Sequence, residues 1–234
     1  MSHKEKLTHN KVSIGTPPQE VEVAVDTGSS ELWVNPDCSR SSRAGKVTGT
    51  DGQEVNVGDN EWSDPEECKK RGRYEKSKSS TVKEYDLEGR TLQYGDYTTT
   101  ELTYVSDTIN IGGLAIKDQV FGVADKSNGT GIGIMGFGPS HYGFNDTLPY
   151  PLILASMAEQ GVISSPVFSL NLRDFDNSTG SLIFGGIDTK RYTGDLVKIP
   201  FEKFPRPQPN GAAEPFQDTR YYSLVPSSYT RPNY

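Results

Sequence analysis

One aspartate in this sequence stands where an acid could do chemistry. Asp26 follows the apolar pair Ala24-Val25 and precedes the turn Thr27-Gly28-Ser29. Burial at the end of an apolar strand raises the pKa of a carboxyl group, whereas hydrogen bonds from nearby hydroxyls and amides favour its ionised form. Glycine at such a turn lets another backbone segment approach without meeting a Cβ. An acid held between these opposing effects is suited to proton transfer, so Asp26 is the candidate catalytic residue.

A β-strand is predicted to deliver this aspartate to its turn. Val21, Val23 and Val25 alternate with polar or small residues, which is the period-two pattern of a strand with one buried face. Further short strands are predicted at 12–14, 91–93, 101–105, 108–111, 120–123, 167–172, 181–184 and 221–225. One helix is predicted over 150–160, before Gly161. We therefore expect a mostly β fold, with residues 36–81 as a polar loop.

Composition argues against several classes of function. The chain has 234 residues and a net charge of -7, from 24 basic and 31 acidic residues. That balance argues against general affinity for nucleic acid or anionic lipid surfaces. The basic run 69–73 has acidic neighbours on both sides, so it is interpreted as a solvated loop. No apolar run reaches the roughly eighteen residues that a membrane helix needs, so no membrane span is predicted.

No metal or cofactor is predicted either. Residues 131–136 spell GxGxxG, but this dinucleotide fingerprint requires a helix to open at its glycines. Phe137-Gly138-Pro139 follows instead, which does not favour a helix. The three histidines, His3, His9 and His141, are interpreted as surface residues and not as a metal site or a catalytic triad.

The two cysteines, Cys38 and Cys68, lie among polar residues. Without a CxxC partner or a histidine cluster they favour a disulfide over a zinc site, with two free surface thiols as the alternative. The disulfide would close a loop of about thirty residues and contribute roughly 3.5 kcal/mol. It would also indicate an oxidising compartment, so we expect a secreted, cell-surface or vacuolar protein.

Candidate glycosylation sites are weak support for the same secretory-pathway location. Asn128, Asn145 and Asn177 each begin an Asn-x-Ser/Thr sequon. Residues 1–11 are charged and lack an apolar core, so no signal peptide is visible. Such a segment would either have been removed or belong to a longer precursor.

Further motifs accompany the Asp26 turn in a fixed order. The turn continues as Ser30-Glu31-Leu32-Trp33-Val34, and the related motifs are Ile14-Gly15-Thr16-Pro17-Pro18-Gln19, Tyr94-Gly95-Asp96, Ile134-Met135-Gly136, Pro166-Val167-Phe168-Ser169-Leu170, Gly180-Ser181-Leu182-Ile183-Phe184-Gly185-Gly186-Ile187-Asp188 and Tyr192-Thr193-Gly194. With this order and spacing, about residues 10–202 resemble the N-terminal lobe of pepsin-like aspartic peptidases, nearest to the fungal members. The resemblance implies a lobe of closed and orthogonal β-sheets, with a flap hairpin and a short helix.

The resemblance also implies a reaction. A water molecule held between two aspartates would hydrolyse a peptide bond, with no metal, cofactor or covalent intermediate. Two close carboxylates cannot both ionise cheaply, so they share a proton, and one acts as base while the other acts as acid. Asp26 would be one of the pair. Thr27 and Gly28 would shape its turn, and Ser29 would make its outer hydrogen bond.

A flap would cover the substrate in this family. Tyr94, with Gly95 and Asp96, stands where the family has that hairpin, and Trp33 would brace the tyrosine hydroxyl. The expected partner is therefore a peptide or protein substrate.

The second aspartate of the pair is missing from the sequence. Besides Asp26-Thr27-Gly28, the Asp-Thr pairs begin at Asp107, Asp146, Asp188 and Asp218, and none is followed by glycine. There is no Asp-Ser-Gly. A C-terminal lobe or a second chain is therefore expected to supply the other aspartate.

The expected organisation has two parts. Residues 1–202 would form the catalytic lobe, and 203–234 a proline-rich interlobe connection with the start of a missing C-terminal lobe. The function expected is aspartic endopeptidase activity, incomplete in this polypeptide. Two alternatives stay open: a catalytically inactive peptide-binding lobe or truncated product, and a homodimer that builds the aspartate pair across a two-fold axis.

Overall fold

A computed structural model describes residues 9–39, 45–48, 54–57, 64–94, 98–138, 150–171, 180–192, 194, 196, 206–207 and 213–214. Its strands in chain order are β1 (His9–Ile14), β2 (Gln19–Asp26), β3 (Leu32–Val34), β4 (Gly45–Thr48), β5 (Glu54–Val57), β6 (Lys83–Glu84), β7 (Arg90–Gln93), β8 (Thr99–Ile111), β9 (Leu114–Asn128), β10 (Gly133–Gly136), β11 (Phe168–Asn171), β12 (Ser181–Phe184), β13 (Arg206–Pro207) and β14 (Ala213–Glu214). The helices are α1 (Pro65–Lys70) and α2 (Ile153–Glu159), with 3₁₀ turns at Lys76–Lys78 and Thr189–Arg191. The expectation of a mostly β fold is confirmed.

Six strands close into a barrel-like sheet. Their order is β1-β2-β10-β3-β9-β8, and β8 pairs back to β1 at Ser13 and Ile14. Most neighbours are antiparallel, but β10 lies parallel to β2 and β3 lies parallel to β9. Strands β6 and β7 extend the sheet by pairing with β8. Pairing of β8 with β1 closes the sheet, which reduces the edge that an open sheet would leave unpaired.

Hydrophobic alternation along β2 explains how the sheet buries its inner face. Val21 and Val23 are buried in the main core, whereas Glu20 is exposed. The main core also contains Val12, Ile14, Leu32, Val34, Tyr74, Val105, Ile109, Ile111, Ile116, Phe121, Val123, Met135, Phe137, Ile153, Met157 and Ile163. A second cluster, formed by Trp33, Leu102, Tyr104, Val120, Ala124, Tyr150 and Leu152, lies against β7 and its neighbours.

Several predicted elements differ in extent from those observed. The strands predicted at 101–105 and 108–111 are one long strand, β8, whose register to β9 shifts between Asp107 and Ile109. A β-bulge there lets the strand bend and continue, which a local pattern shows as two pieces. Helix α2 begins at Ile153, three residues later than predicted, and ends before Gly161, whose φ is +69°. The predicted strand 221–225 lies outside the described residues.

The predicted polar loop 36–81 contains regular structure. Strands β4 and β5 form a small hairpin, and α1 follows with Asp64 capping its first turn by accepting from the Glu66 backbone N–H at 2.8 Å. Cys68 lies in α1 and forms a disulfide with Cys38. This confirms the disulfide expected from the sequence and excludes the two free thiols.

A buried carboxylate fastens the segment after α1 to β8. Asp107 is fully buried and accepts hydrogen bonds from the Tyr74 hydroxyl at 2.7 Å, from the Thr81 hydroxyl and from the Thr108 backbone N–H at 2.7 Å. Burial raises the pKa of Asp107, but hydrogen bonds from Ser79, Thr81, Tyr74 and Thr108 outweigh it and hold the pKa below its ordinary value of 3.8. The ionised form is therefore the one that this site stabilises.

Asp107→Asn should destabilise the lobe near neutral pH. A neutral amide cannot accept all these hydrogen bonds, and the donors left unpaired should cost about 1–3 kcal/mol. Because the folded pKa is depressed, the carboxylate contributes stability above pH 3.8 and loses it as pH falls through the folded pKa. The difference between variant and parent in urea unfolding should therefore be large at pH 6 and shrink well below pH 3.8.

The matched control is Asp118→Asn. The Asp118 side chain is 62% exposed and pairs with Lys83, so its loss should change the unfolding free energy by less than about 0.5 kcal/mol. Equal effects of the two substitutions at pH 6 would contradict the importance given to Asp107.

One glycine lets β10 meet the turn that follows β2. A Cβ on Gly136 would lie 2.5 Å from the backbone carbon of Ser30 and 2.6 Å from the backbone oxygen of Ser29. Both are main-chain atoms, so neither can rotate away. Only glycine allows this approach.

Gly136→Ala should therefore displace the turn after Asp26 and lower stability by about 1–3 kcal/mol, the usual cost of overpacking. Gly186→Ala is the matched control, because no atom lies within 4 Å of its added Cβ. Chemical denaturation of both variants tests the contact. A Gly136→Ala variant as stable as Gly186→Ala would show that the turn adapts freely.

Candidate active site

Asp26 is the last residue of β2, and its side chain is half-buried. The backbone N–H of Gly28 donates a hydrogen bond of 2.8 Å to Asp26 Oδ1. A Cβ on Gly28 would lie 3.2 Å from the same oxygen, closer than side chains normally approach. The turn therefore holds one carboxylate oxygen through a main-chain amide, and solvent still reaches the group.

Main-chain hydrogen bonds fix the turn against the end of β10. Phe137 N donates to Asp26 O at 2.7 Å, Gly138 N to Ser29 O at 2.7 Å, and Gly136 N to Glu31 O at 3.0 Å. These bonds span the turn from its first residue to its last. The position of Asp26 is consequently set by the barrel and does not depend on a free loop.

The other predicted residues of the turn have different surroundings. Thr27 and Gly28 are exposed, whereas Ser29 is buried. Ser29 Oγ has no hydrogen-bond partner among the described residues. The outer hydrogen bond that the sequence led us to expect from Ser29 to Asp26 is therefore not formed in this structure.

Trp33 and Tyr94 are in direct contact. Trp33, in β3, is fully buried and its Nε1 donates a hydrogen bond of 2.6 Å to the hydroxyl of Tyr94. Tyr94 follows β7, and its backbone N–H donates to Thr98 O at 2.9 Å across the hairpin turn. Gly95 and Asp96 lie outside the described residues. The geometry matches the bracing contact expected from the sequence, while the role of either residue toward substrate stays a prediction.

A buried carboxylate beside this turn was missed by the sequence analysis. Glu31 accepts from Arg90 Nη1 at 2.8 Å through Oε1, and from the hydroxyls of Tyr104 at 2.6 Å and Tyr150 at 2.8 Å through Oε2. Burial, and then the negative charge of Glu31, raises the pKa of both tyrosines well above the usual 10. The available signal was one acidic residue directly before the apolar run Leu32-Trp33-Val34.

Other predicted sites are placed as follows. Asn128 ends β9 and is half-buried, while Asn145 and Asn177 lie outside the described residues. Residues 133–136 form strand β10 and do not open a helix. Within the described ranges, no three His, Cys, Asp or Glu side chains are grouped as a metal would require. In the same ranges no helix has the length and apolar character needed to cross a membrane.

The arrangement can present one carboxylate to a polar ligand. Asp26 is partly open to solvent, is oriented by an amide, and could accept or donate a proton at its other oxygen. A shared-proton pair needs a second carboxylate, which no described residue near Asp26 is shown to provide.

Known proteins resemble the chain in sequence and in fold. The family model described as eukaryotic aspartyl protease matches residues 9–211. Secreted aspartic protease 3 of Candida albicans is 35% identical over 193 residues, covering 81% of this chain and 42% of that protein. A probable aspartic-type endopeptidase, opsB, of Aspergillus fumigatus is 32% identical over 214 residues, covering 87% of this chain and 38% of that protein.

A solved structure agrees with this assignment at the level of the fold. The aspartic proteinase from Irpex lacteus superposes with a TM-score of 0.55 and 22% sequence identity, over 87% of this chain and 51% of that one. The chain thus spans about two-fifths of the length of the two relatives named above. Its family model, sequence relatives and fold agree, and the chain belongs to the eukaryotic aspartyl protease family.

Proposed function

We propose that this chain is the N-terminal lobe of an aspartic endopeptidase, in which Asp26 is one of two carboxylates that activate a water molecule. The water would attack the scissile carbonyl while the pair passes one proton between them. Residues 1–202 would form the lobe and 203–234 the connection to its mate. A peptide or protein would be the substrate.

The placement of Asp26 is the observation that carries this proposal. The carboxylate is half-buried, accepts an amide hydrogen bond at 2.8 Å and stands on a turn bound to β10 by main-chain contacts. Asp64 accepts an amide hydrogen bond of the same kind, so the feature that sets Asp26 apart is the binding of its turn to β10 by main-chain contacts. Such fixed orientation favours a catalytic acid or base, because misplacement of the reacting groups by even 1 Å is costly.

A second lobe is proposed as the source of the other carboxylate. The sequence has no second Asp-Thr-Gly or Asp-Ser-Gly, and the chain matches only 42% and 38% of the two relatives. Exposed apolar side chains favour such a partner: Val167, just before β11, is 45% exposed, Ile187, shortly after β12, is 53% exposed, and Leu196 is 56% exposed. All eight residues of β11 and β12 are only half-buried. A docked lobe would cover this surface.

A compartment of the secretory pathway suits the same proposal. The Cys38–Cys68 disulfide persists in oxidising surroundings. One relative carries the word secreted in its name. We propose that this protein works outside the cytosol.

Asp26→Asn should abolish acid proteolysis in the protein assembled with its second lobe. The amide cannot share a proton with a carboxylate, so kcat should fall by about 10²–10⁴-fold, the range for loss of one general acid or base. Cleavage of a fluorogenic peptide between pH 3 and 6, with and without pepstatin, measures this. Asp118→Asn is the control and should keep parental activity, since Asp118 is exposed on the barrel surface.

The 234-residue chain alone should show little pepstatin-sensitive cleavage. Clear activity at low pH that is lost in Asp26→Asn would contradict the need for a second lobe. If light scattering then gave twice the monomer mass, the pair would be built by two copies of this chain.

Ile187→Lys should weaken association with the second lobe without unfolding this one. Because Ile187 is already half-exposed, the unfolding free energy of the isolated chain should change by less than about 0.5 kcal/mol. Sedimentation of the mixed lobes measures association, and Lys83→Ala, on strand β6 beside β8, is the control. Unchanged association in Ile187→Lys would remove this surface from the proposed interface.

A further inference from the structure

Glu31 brings together three separate parts of the lobe. Its side chain is only 1% exposed, and its partners are Arg90 in β7, Tyr104 in β8 and Tyr150 just before α2. Tyr150 also packs edge-on against Tyr85 and tilted against Tyr104, with ring centroids 5.9 Å apart in both pairs. A carboxylate is thus enclosed by one guanidinium and two aromatic hydroxyls.

Stability alone is a weak reason for such a buried ion pair. Removing two charges from water costs several kcal/mol each, and well-packed apolar residues of similar volume often serve as well or better. Leu102, Val120 and Leu152 lie in the same cluster and show that apolar packing is available here. The buried ion pair of Glu31 with Arg90 therefore indicates that some element of the lobe has to be held in a fixed position.

The position concerned is that of β7. Arg90 and Tyr94 are four residues apart, at the beginning and just past the end of this strand. Their partners, Glu31 and Trp33, are two residues apart on the segment that leads from the Asp26 turn into β3. Leu92, between them, packs against the same cluster. One face of β7 is therefore held at both ends by Glu31 and Trp33, which lie on the segment just after the Asp26 turn.

Strand β7 needs such support because it is otherwise weakly held. Its four residues pair only with β8 in the described part of the chain. The hairpin that continues from it has Tyr94 at its base. Without a fixed distance between β7 and β3, the Tyr94 hydroxyl would have no defined place relative to the Asp26 turn.

We propose that the Glu31–Arg90 ion pair, here called the clamp, holds β7, the strand that leads into the hairpin at Tyr94. Together with the Trp33–Tyr94 hydrogen bond, the clamp sets the position of Tyr94 relative to Asp26. Glu31 and Arg90 are then positioning residues, which do not touch substrate. This inference rests on the proposed function, because the hairpin must cover a peptide for its position to affect catalysis.

The two tyrosines keep the carboxylate in place. Both hydroxyls donate to Oε2, which leaves Oε1 for the guanidinium. Burial, reinforced by Glu31, raises their pKa and keeps them protonated as donors. An arginine side chain is always charged, so the guanidinium of Arg90 remains a donor to Oε1.

The indole proton of Trp33 reports the clamp without any substrate. In a Trp62→Phe background Trp33 is the sole tryptophan, so its Nε1–H gives one resonance in a ¹⁵N spectrum. Arg90→Met should free the end of β7 and break the Trp33–Tyr94 bond. We expect the indole resonance to move upfield and its exchange with solvent to accelerate at least tenfold, while the circular dichroism spectrum is retained.

Two controls separate positioning from simple loss of stability. Lys126→Met removes the exposed ion pair with Glu101, 3.0 Å long, between β9 and β8, and should leave the indole unchanged. Asp107→Asn destabilises the lobe at another site and should also leave the indole unchanged when both variants are compared well below their melting temperatures. An unchanged resonance and exchange rate in Arg90→Met would overturn the clamp.

Variants with milder changes cover the case in which Arg90→Met does not fold. Arg90→Lys keeps a charge but loses the planar fork, and Glu31→Gln keeps the shape but loses the charge. Each should accelerate indole exchange by several-fold, and parental exchange in both would overturn the proposal.

Failure of the clamp and failure of the proposed function are distinguishable. Pepstatin-sensitive cleavage by the two-lobe protein, together with an indole that does not respond to Arg90→Met, would overturn the clamp and keep the function. A responsive indole in a protein that cleaves no peptide would keep the clamp and overturn the function.

Discussion

The closeness of two backbone segments underlies the whole site. The end of β10 approaches the turn after Asp26 so nearly that a single methyl group on Gly136 would collide with main-chain atoms of Ser29 and Ser30. Three main-chain hydrogen bonds form across this contact and hold the turn from Asp26 to Glu31 against the end of β10. Main-chain atoms cannot move aside by changing rotamer, so the barrel fixes the position of Asp26. A catalytic acid gains from this, since its orientation is fixed before substrate arrives.

Strand β7, beside the Asp26 segment, is held in a different way from the Asp26 turn. Strand β7 lies outside the closed barrel and is joined to the Asp26 segment by side chains, through Trp33 with Tyr94 and Glu31 with Arg90. The Asp26 turn is thus fixed by main-chain contacts to β10, whereas β7 is joined to the same segment by side chains, in addition to its pairing with β8.

Much of the fold could be predicted because its signals are local. The valine alternation of β2 and its end at Asp26 were visible in the sequence, as was a disulfide between Cys38 and Cys68. Predictions failed where distant parts of the chain decide the outcome. β8 continues through a bulge because β9 lies beside it, and Pro151 O, just before α2, accepts a hydrogen bond from Gln119 Nε2, 32 residues away. Neither partner can be inferred from the neighbouring residues alone.

The sequence by itself determined the chemistry available to this protein: one acid at the end of an apolar strand, a glycine after it and no second copy of that motif. These features depend on residues adjacent in the chain, where bond geometry limits the possible arrangements. Only the tertiary structure decided what surrounds them. Glu31 meets partners 59, 73 and 119 residues away, and the Ser29 hydroxyl is buried without the hydrogen bond that its position in the motif suggested. Such contacts form only when β7, β8 and the segment before α2 pack beside β3, because this packing brings side chains distant in sequence within reach of Glu31.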